Sequence, residues 1–446
     1  MTAMRTAEQR FVARAWLHLR PHQTRAIGEV RAAFRRTRRV LLVAPTGFGK
    51  TAVASQLIAW AVARGRRVLF LVHRREIVMD TARRLDAAGV ACGVVMAGVP
   101  RTDGDVQVAS VQTVAAREDH PPADLIVWDE AHHAAAESYR DIAAQYPNAW
   151  HLGLTATPER ADGVGLRDAF DELVVGATVR ELQADGYLAR CDVLAPARRQ
   201  NGLAMDPCDA WIAHAGGRPT VAFCRSVEES KLLAARLAMR GIEARHIDGA
   251  THSAQRDSAL AAFAQGRVQV LANVFVLTEG WDAPRAKVCL LARGCGSEGT
   301  YLQMVGRVLR PYDDQRALVI DLAGVTHEHG LPDEDRAFTL DGIARRPRAE
   351  RPWLSQCLAC GLVVEGERRG PACPRCDAAW PPPPRTRVEH ADVERVTAAV
   401  VVPRAIKDAK LRELVSIAKA RGYRATWVGV RFKELFGHWP RMGAMR

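Results

Sequence analysis

Apolar residues along this chain fall in short unbroken runs instead of alternating with polar ones. RVLLVA (39–44), RVLFLVH (67–73), VQVAS (106–110), DLIVWDE (124–130) and WHLGLTAT (150–157) come first. Helix-compatible stretches such as TAVASQLIAWAVARG (51–65) separate several of them. Strands buried on both faces have this texture, so the pattern predicts a parallel sheet covered by helices. A second series follows: CDVLAP (191–196), PTVAFC (219–224), EARHI (243–247), VQVLANV (268–274), AKVCLLA (286–292) and RALVIDL (316–322). Between its members lie two amphipathic helical patterns, 228–241 and 254–266, each closed by a glycine.

The polar stretch RRQNGLAMDP (198–207) reads as the linker into that second series. After residue 345 the texture changes. RRPRAERP (345–352) and PPPPR (381–385) are stiff, Pro-broken spacers, and 406–423 carries a helical face of Ile406, Leu411, Leu414, Val415 and Ala418. The expected fold class is α/β: two tandem parallel-sheet domains at 1–190 and 191–345, a four-cysteine module at 346–385, and a basic helical module at 386–446.

Composition narrows the class. With 446 residues, 48% hydrophobic and 25% charged, the chain has the make-up of a soluble globular protein. The start, MTAMRTAEQRF, lacks a signal-type apolar stretch, and no 18 apolar residues run together. A cytoplasmic protein without a membrane partner is expected. The net charge of +13 favours a polyanionic partner, and residues 341–446 hold 21 Lys+Arg against 11 Asp+Glu, which is most of the excess.

The candidate chemistry begins at APTGFGKT (44–51), between a strand and a helix. Gly47 and Gly49 permit a tight turn whose backbone N–H groups, with Thr46 and Phe48, face phosphates at a helix N-terminus. Lys50 would neutralise the β- and γ-phosphates, and Thr51 would offer its hydroxyl to Mg²⁺. The first glycine of the usual loop is Ala44 here. DLIVWDEAHH (124–133) then supplies Asp129 as a metal holder and Glu130 to activate water, with His132 as a relay toward the opposing domain. The missing cation comes from YLQMVGRVLR (301–310). Gln303, Arg307 and Arg310 lie there, the arginines three apart and so expected on one helical face.

Together these segments resemble a superfamily 2 helicase or translocase related to the DEAD/DEAH-box proteins, with two RecA-like domains over about 15–345. By that resemblance LRPHQ (19–23) is the adenine-side element, with Gln23 reading the base and Arg20 assisting. LTATP (154–158) would couple hydrolysis to the polymer site through Thr155 and Thr157. VLTEGWDAP (276–284) would set Thr278 near a strand backbone and Gly280 with Asp282 near the nucleotide. Trp281 is a departure there, either packing between lobes or stacking on a ligand. The resemblance also implies a nucleic-acid face made of His73, Arg74, Ser110, Gln112 and Thr113 on one lobe and Arg225 and Ser226 on the other. ELQADGYLA (181–189) is similar to the segment that joins the lobes in restriction and repair helicases.

Cys357, Cys360, Cys373 and Cys376 form two Cys-x₂-Cys pairs 12 residues apart, a spacing suited to Zn²⁺ held by four thiolates. Disulfides and an iron–sulfur cluster are the alternatives. The resemblance, closest to bacterial and phage DNA-repair helicases with a zinc ribbon, implies an ATP- and Mg²⁺-dependent DNA helicase or translocase. Its basic C-terminal module would take DNA or a protein partner, with Tyr423, Trp427, Phe432, Phe436 and Trp439 alternatively serving as ordinary core and protein-contact residues. An RNA helicase, or a nucleotide-gated module that remodels partners on DNA without strand separation, are the competing readings.

Overall fold

The structure is a computed structural model. It describes residues 19–73, 75–99, 102, 104–133, 137–160, 164–196, 202–278, 280–281, 284–312, 316–343, 354–365, 370–380, 404–421, 427–428 and 430–432. Arg74 and Asp282 lie outside this set, as do Tyr423, Phe436 and Trp439.

In chain order the first lobe contains α1 (Pro21–Ala33), β1 (Arg39–Val43), α2 (Lys50–Val62), β2 (Val68–Val72), α3 (Arg75–Ala87) and β3 (Gly93–Val95). It continues with β4 (Val106–Ser110), α4 (Val111–Ala115), β5 (Leu125–Asp129), α5 (Glu137–Gln145), β6 (Trp150–Thr155) and β7 (Glu172–Val175). The sheet order is β3-β4-β2-β5-β6-β1-β7, and every neighbouring pair is parallel. All five residues of β2 and of β4 are buried, which is why their sequences show no alternation. In α2 the seven residues Val53–Ala59 are all buried, since this helix is enclosed on most sides.

α6 (Val179–Ala184) follows, opened by a Thr178–Glu181 capping box. The second lobe then runs β8 (Cys191–Leu194), α7 (Pro207–His214), β9 (Thr220–Cys224), α8 (Val227–Ala238), β10 (Ala244–Ile247), α9 (Ser253–Ala264), β11 (Val270–Asn273), β12 (Val288–Ala292), α10 (Glu298–Gly306) and β13 (Ala317–Asp321). Because β8 pairs with β13, the stretch 198–207 falls inside this lobe and is not the link between lobes. The crossing comes earlier, around α6, and a polar composition alone does not distinguish a linker from a surface loop.

Beyond β13 the chain turns back. After α11 (Thr326–His329), the small antiparallel pair β14 (Phe338–Thr339) and β15 (Gly342–Ile343) lands on the first lobe. Phe338 and Leu340 join a first-lobe core with Leu41, Leu166 and Phe170, and Arg167 holds Asp341 through two bonds of 2.6 and 2.7 Å. Arg336 ties the same strap to Glu298 at the start of α10. The hairpin β16 (Leu354–Gln356) and β17 (Leu362–Glu365) extends the second sheet, whose order is β10-β11-β9-β12-β13-β8-β17-β16. β17 runs antiparallel to β8, whereas the strands from β10 to β8 are parallel.

Residues 384–446 form a separate compact unit. In it α12 (Arg404–Arg421) packs Leu411, Leu414 and Ala418 with Val428 and Phe432 into a small core of its own. No described helix is long and apolar enough to cross a membrane.

Candidate active site

The phosphate loop leaves β1, which is buried from Val40 to Val43, and enters α2 at Gly49. Gly49 has φ +91, and a Cβ there would stand 2.3 Å from Gln23 Nε2. Only glycine combines that backbone with that approach. Gln23 uses the space to donate to the Phe48 carbonyl at 2.9 Å, while its Oε1 accepts from Arg20 N at 2.9 Å. Both ends of the amide thus shape the loop, and Gln23 is only 5% exposed. Phe48 is fully buried against the His22 ring, so its side chain is an anchor beneath the loop and does not line the cavity.

That cavity has a volume of about 540 Å³, and both lobes line it. Arg20, Thr46, Gly47, Lys50 and Thr51 contribute from the loop side, joined by Asp129 and Glu130 from the end of β5. Gly280, Trp281, Arg307 and Arg310 contribute from the second lobe. The Lys50 ammonium donates to Ala44 O at 2.9 Å. Burial pushes its pKa down, Glu130 and Asp129 oppose that shift, and Arg307 and Arg310 add to it. Such a concentration of cations around two carboxylates is suited to a polyphosphate with a divalent ion.

The two arginines do not share a helical face. α10 ends at Gly306 with Arg307 as its C-cap, and Arg310 stands on the irregular segment before Pro311. A residue preceding proline is disfavoured in the helical region, which keeps Arg310 out of the helix. Arg307 is 5% exposed and donates Nε to Thr278 O at 3.0 Å and Nη1 to Trp281 O. It therefore braces the 278–281 loop as well as lining the cavity. Burial, then the nearby Arg84, brings Arg310 down to about 10. Arg84 and Tyr187 also line the cavity; Arg84 carried no motif signal in the sequence, and the segment 181–189 that holds Tyr187 was read only as the join between lobes. Tyr187 lies under the Arg20 guanidinium at 4.7 Å.

A row of closely spaced polar groups leaves the carboxylates. Glu130 has φ +49, and its Oε2 lies 3.4 Å from His132 Nδ1. The same nitrogen lies 3.2 Å from Thr155 Oγ1, which donates to Thr157 O at 2.7 Å. Across the cleft, a Cβ at Gly299 would meet Thr157 Oγ1 at 2.7 Å, and one at Gly306 would meet Thr46 Cβ at 2.7 Å. These glycines, seven apart on α10, let it lie directly on two first-lobe loops. On the other side the His133 ring stacks on His73 at 4.1 Å, and the His73 carbonyl accepts from Gln112 Nε2 at 2.7 Å.

Of the residues expected on the polymer face, Gln112 and Arg225 are exposed, Arg225 in an ion pair with Glu229. Ser110 and Thr113 are buried, their hydroxyls 2.7 Å apart at the start of α4. Ser226 caps α8 by accepting from Glu229 N. Thr278 is 3% exposed. Gln303 is buried within α10. Trp281 sets its ring edge-on to Phe263 at 5.6 Å, so it packs within its own lobe while lining the cavity.

The four cysteines converge, with all Sγ atoms within 4.8 Å of one another. Cys357–Cys376 and Cys360–Cys373 Sγ distances are 3.5 and 3.7 Å, and none of the four is in a disulfide. Tetrahedral thiolates around zinc sit about 3.8 Å apart, given bonds of about 2.3 Å. The two knuckles are alike: Gly361 and Asp377, each four residues after the first cysteine, both have positive φ.

The description "Type III restriction enzyme, res subunit" fits residues 17–160, and "Helicase conserved C-terminal domain" fits 205–312. A 51.5 kDa protein of a Lactococcus phage is 30% identical over 363 residues, covering 76% of this chain and 75% of the relative. The chain belongs to the superfamily 2 helicases. As a superfamily 2 enzyme it hydrolyses ATP. The putative mitochondrial ATP-dependent helicase irc3 of Schizosaccharomyces pombe is 29% identical over 68% of this helicase, which spans 57% of that relative. DNA 3'-5' translocase XPB2 of Sulfurisphaera tokodaii is 23% identical, over 69% of this chain and 81% of the relative. Among solved structures, the fragment of a putative HsdR subunit of a type I restriction enzyme from Vibrio vulnificus aligns with TM-score 0.57 and 24% identity. It covers 71% of this chain and 66% of that one, and shows the shared fold.

Proposed function

We propose that this enzyme is a DNA helicase or translocase in which one ATP is gripped from both lobes, so that its hydrolysis changes their spacing on DNA. The observation that carries the reading is the shared cavity, with Lys50, Asp129 and Glu130 on one wall and Arg307 and Arg310 on the other. Lys50 and the loop N–H groups bind the β- and γ-phosphates. Glu130 orients and deprotonates the attacking water, and Arg310, with Arg307 bracing the 278–281 loop beside it, meets the charge developing on the γ-phosphoryl group. Thr51 and Asp129 offer the hard oxygen donors that magnesium takes, and the ion would neutralise phosphate charge there. Arg20 and Tyr187 flank the base, and Gln23 reads it by exchanging its loop bonds.

The Glu130–His132–Thr155–Thr157 path links the reacting end to α10, while His133, His73 and Gln112 carry the other branch toward the polymer face. Arg225, with Arg74 and the capped ends of α4 and α8, would contact phosphates without reading sequence. DNA is favoured over RNA by the name of the archaeal translocase and by the restriction-type first lobe. The four cysteines hold a structural zinc ion, and work in repair, recombination or replication fits these relatives. ATPase stimulation by single-stranded, duplex and forked DNA and by RNA tests the proposal. Preferential stimulation by RNA would overturn the choice of DNA, and stimulation by neither polymer would overturn the motor. Because phosphate contacts carry much of the binding, affinity should fall steeply with salt.

A further inference from the structure

Three adjacent parallel strands of the second lobe, β11, β9 and β12, end at the same edge. Asn273, Phe223 and Leu291 are aligned in register, so Phe275, Arg225 and Arg293 each stand two residues further on. Arg225 is a proposed phosphate contact. Phe275 is a different kind of residue in the same row. It is 42% exposed, with φ +59.

The turn around it is unusual. Val276 N donates to Val274 O at 2.8 Å, which makes Phe275 the centre of a three-residue turn with positive φ, a rare and strained conformation for a bulky residue. The turn is held from below by the buried Asn273 side chain, which donates to Ala222 O at 2.9 Å and accepts from Leu277 N at 3.2 Å. Glycine would suit this backbone better. An aromatic ring kept there, in water, against local preference points to a use for the ring. Arg293 supplies its backing: the guanidinium carbon lies 3.7 Å over the Phe275 ring centroid, and its buried Nη1 has no hydrogen-bond partner among the described residues.

We propose that Phe275, backed by Arg293, is a stacking platform for one nucleobase of a single strand crossing the second lobe. The proposal rests on the nucleic-acid reading above and adds to it a contact with a base face. Every base has such a face, so the contact holds a strand without selecting sequence, while Arg225 takes the neighbouring phosphate.

The test uses the full chain and a single-stranded DNA carrying 2-aminopurine, whose fluorescence reports stacking, with affinity measured across a salt series. Phe275→Gly relieves the backbone while removing the ring, so its melting temperature should equal or exceed that of the native chain. It should bind at least about fivefold more weakly, with an unchanged salt slope and loss of the 2-aminopurine signal. Phe275→Trp should restore both signal and affinity. Arg225→Ala should instead make the salt slope shallower. Native-like affinity and fluorescence in Phe275→Gly, or equal weakening in Phe275→Gly and Phe275→Trp, would overturn the platform. Failure of the native chain to bind any nucleic acid would instead strike the parent reading.

Discussion

At the scale of single residues, the proposed site divides its work between groups that would hold the nucleotide and groups that would act on it. Lys50 is half-buried beside Glu130 and Asp129, and among the described residues no other lysine lines the cavity. Lys50→Ala should raise the ATP concentration needed for half-maximal turnover, measured by phosphate release. Glu130→Gln should keep ATP in equilibrium binding yet abolish turnover, because the amide accepts no proton from water. Arg310→Ala should lose at least tenfold in turnover, about 1.4 kcal/mol of barrier, with both lobes still folded by circular dichroism. Arg307→Ala should lose as much, and it should also loosen the 278–281 loop that Arg307 braces. Normal hydrolysis in both arginine variants would reject the site shared between lobes.

At the scale of elements, α10 lies against the first lobe through Gly299 and Gly306. Gly299→Val should hold the lobes apart and slow ATP turnover without unfolding either one, as read by fluorescence transfer between labels on the two lobes. Unchanged transfer and unchanged turnover would show that the close contact is unimportant. β5 and β6 are joined on their other face by Trp128 Nε1, which donates to His151 Nδ1 at 3.2 Å. Burial takes His151 down to about 4 from an ordinary value of 6.5. Since the unfolded chain binds the proton first, stability is full above pH 6.5 and falls steadily as pH drops toward 4. The loss is about 3 kcal/mol by proton linkage. Urea unfolding across that range should show it, and His151→Gln should flatten it.

Elements also show what the sequence reveals. The short apolar runs all became strands, most of them because burial on both faces imposes unbroken apolarity; in β10 only Ile247 is buried. β3 is only GVV, and β7 is ELVV with only Val174 buried, too short and too mixed to stand out. The phosphate loop, Asp129 with Glu130, and the four cysteines could be found because their chemistry requires contiguous or regularly spaced residues. The internal commitment of Gln23, the burial of Phe48 and the place of Tyr187 depend on contacts between distant segments, and local spacing does not encode those. The place of Arg310 outside α10 was legible in Pro311 and was outweighed by the three-residue spacing of the arginines.

At the scale of the whole molecule, the described residues join the two lobes by the chain around α6, by α10 lying on the first-lobe loops, and by the strap that returns with Leu340 and Asp341, among other contacts. The cysteine ribbon is built into the second sheet through β17 and β8. Removing the zinc ion proposed for it should therefore raise amide hydrogen exchange in 354–365 and also in 191–194. Unchanged protection in both, in verified metal-free protein, would reject a structural ion.

The claim on which the rest depends is that one triphosphate is contacted by both lobes at once. The most direct measurement is a crystal structure of the chain with ADP–beryllium fluoride and magnesium. The account predicts the fluoride group between Lys50 and Arg310, with Glu130 facing the position of the attacking water. Beryllium fluoride bound by the loop alone, with Arg307 and Arg310 turned away and the cleft open, would contradict it.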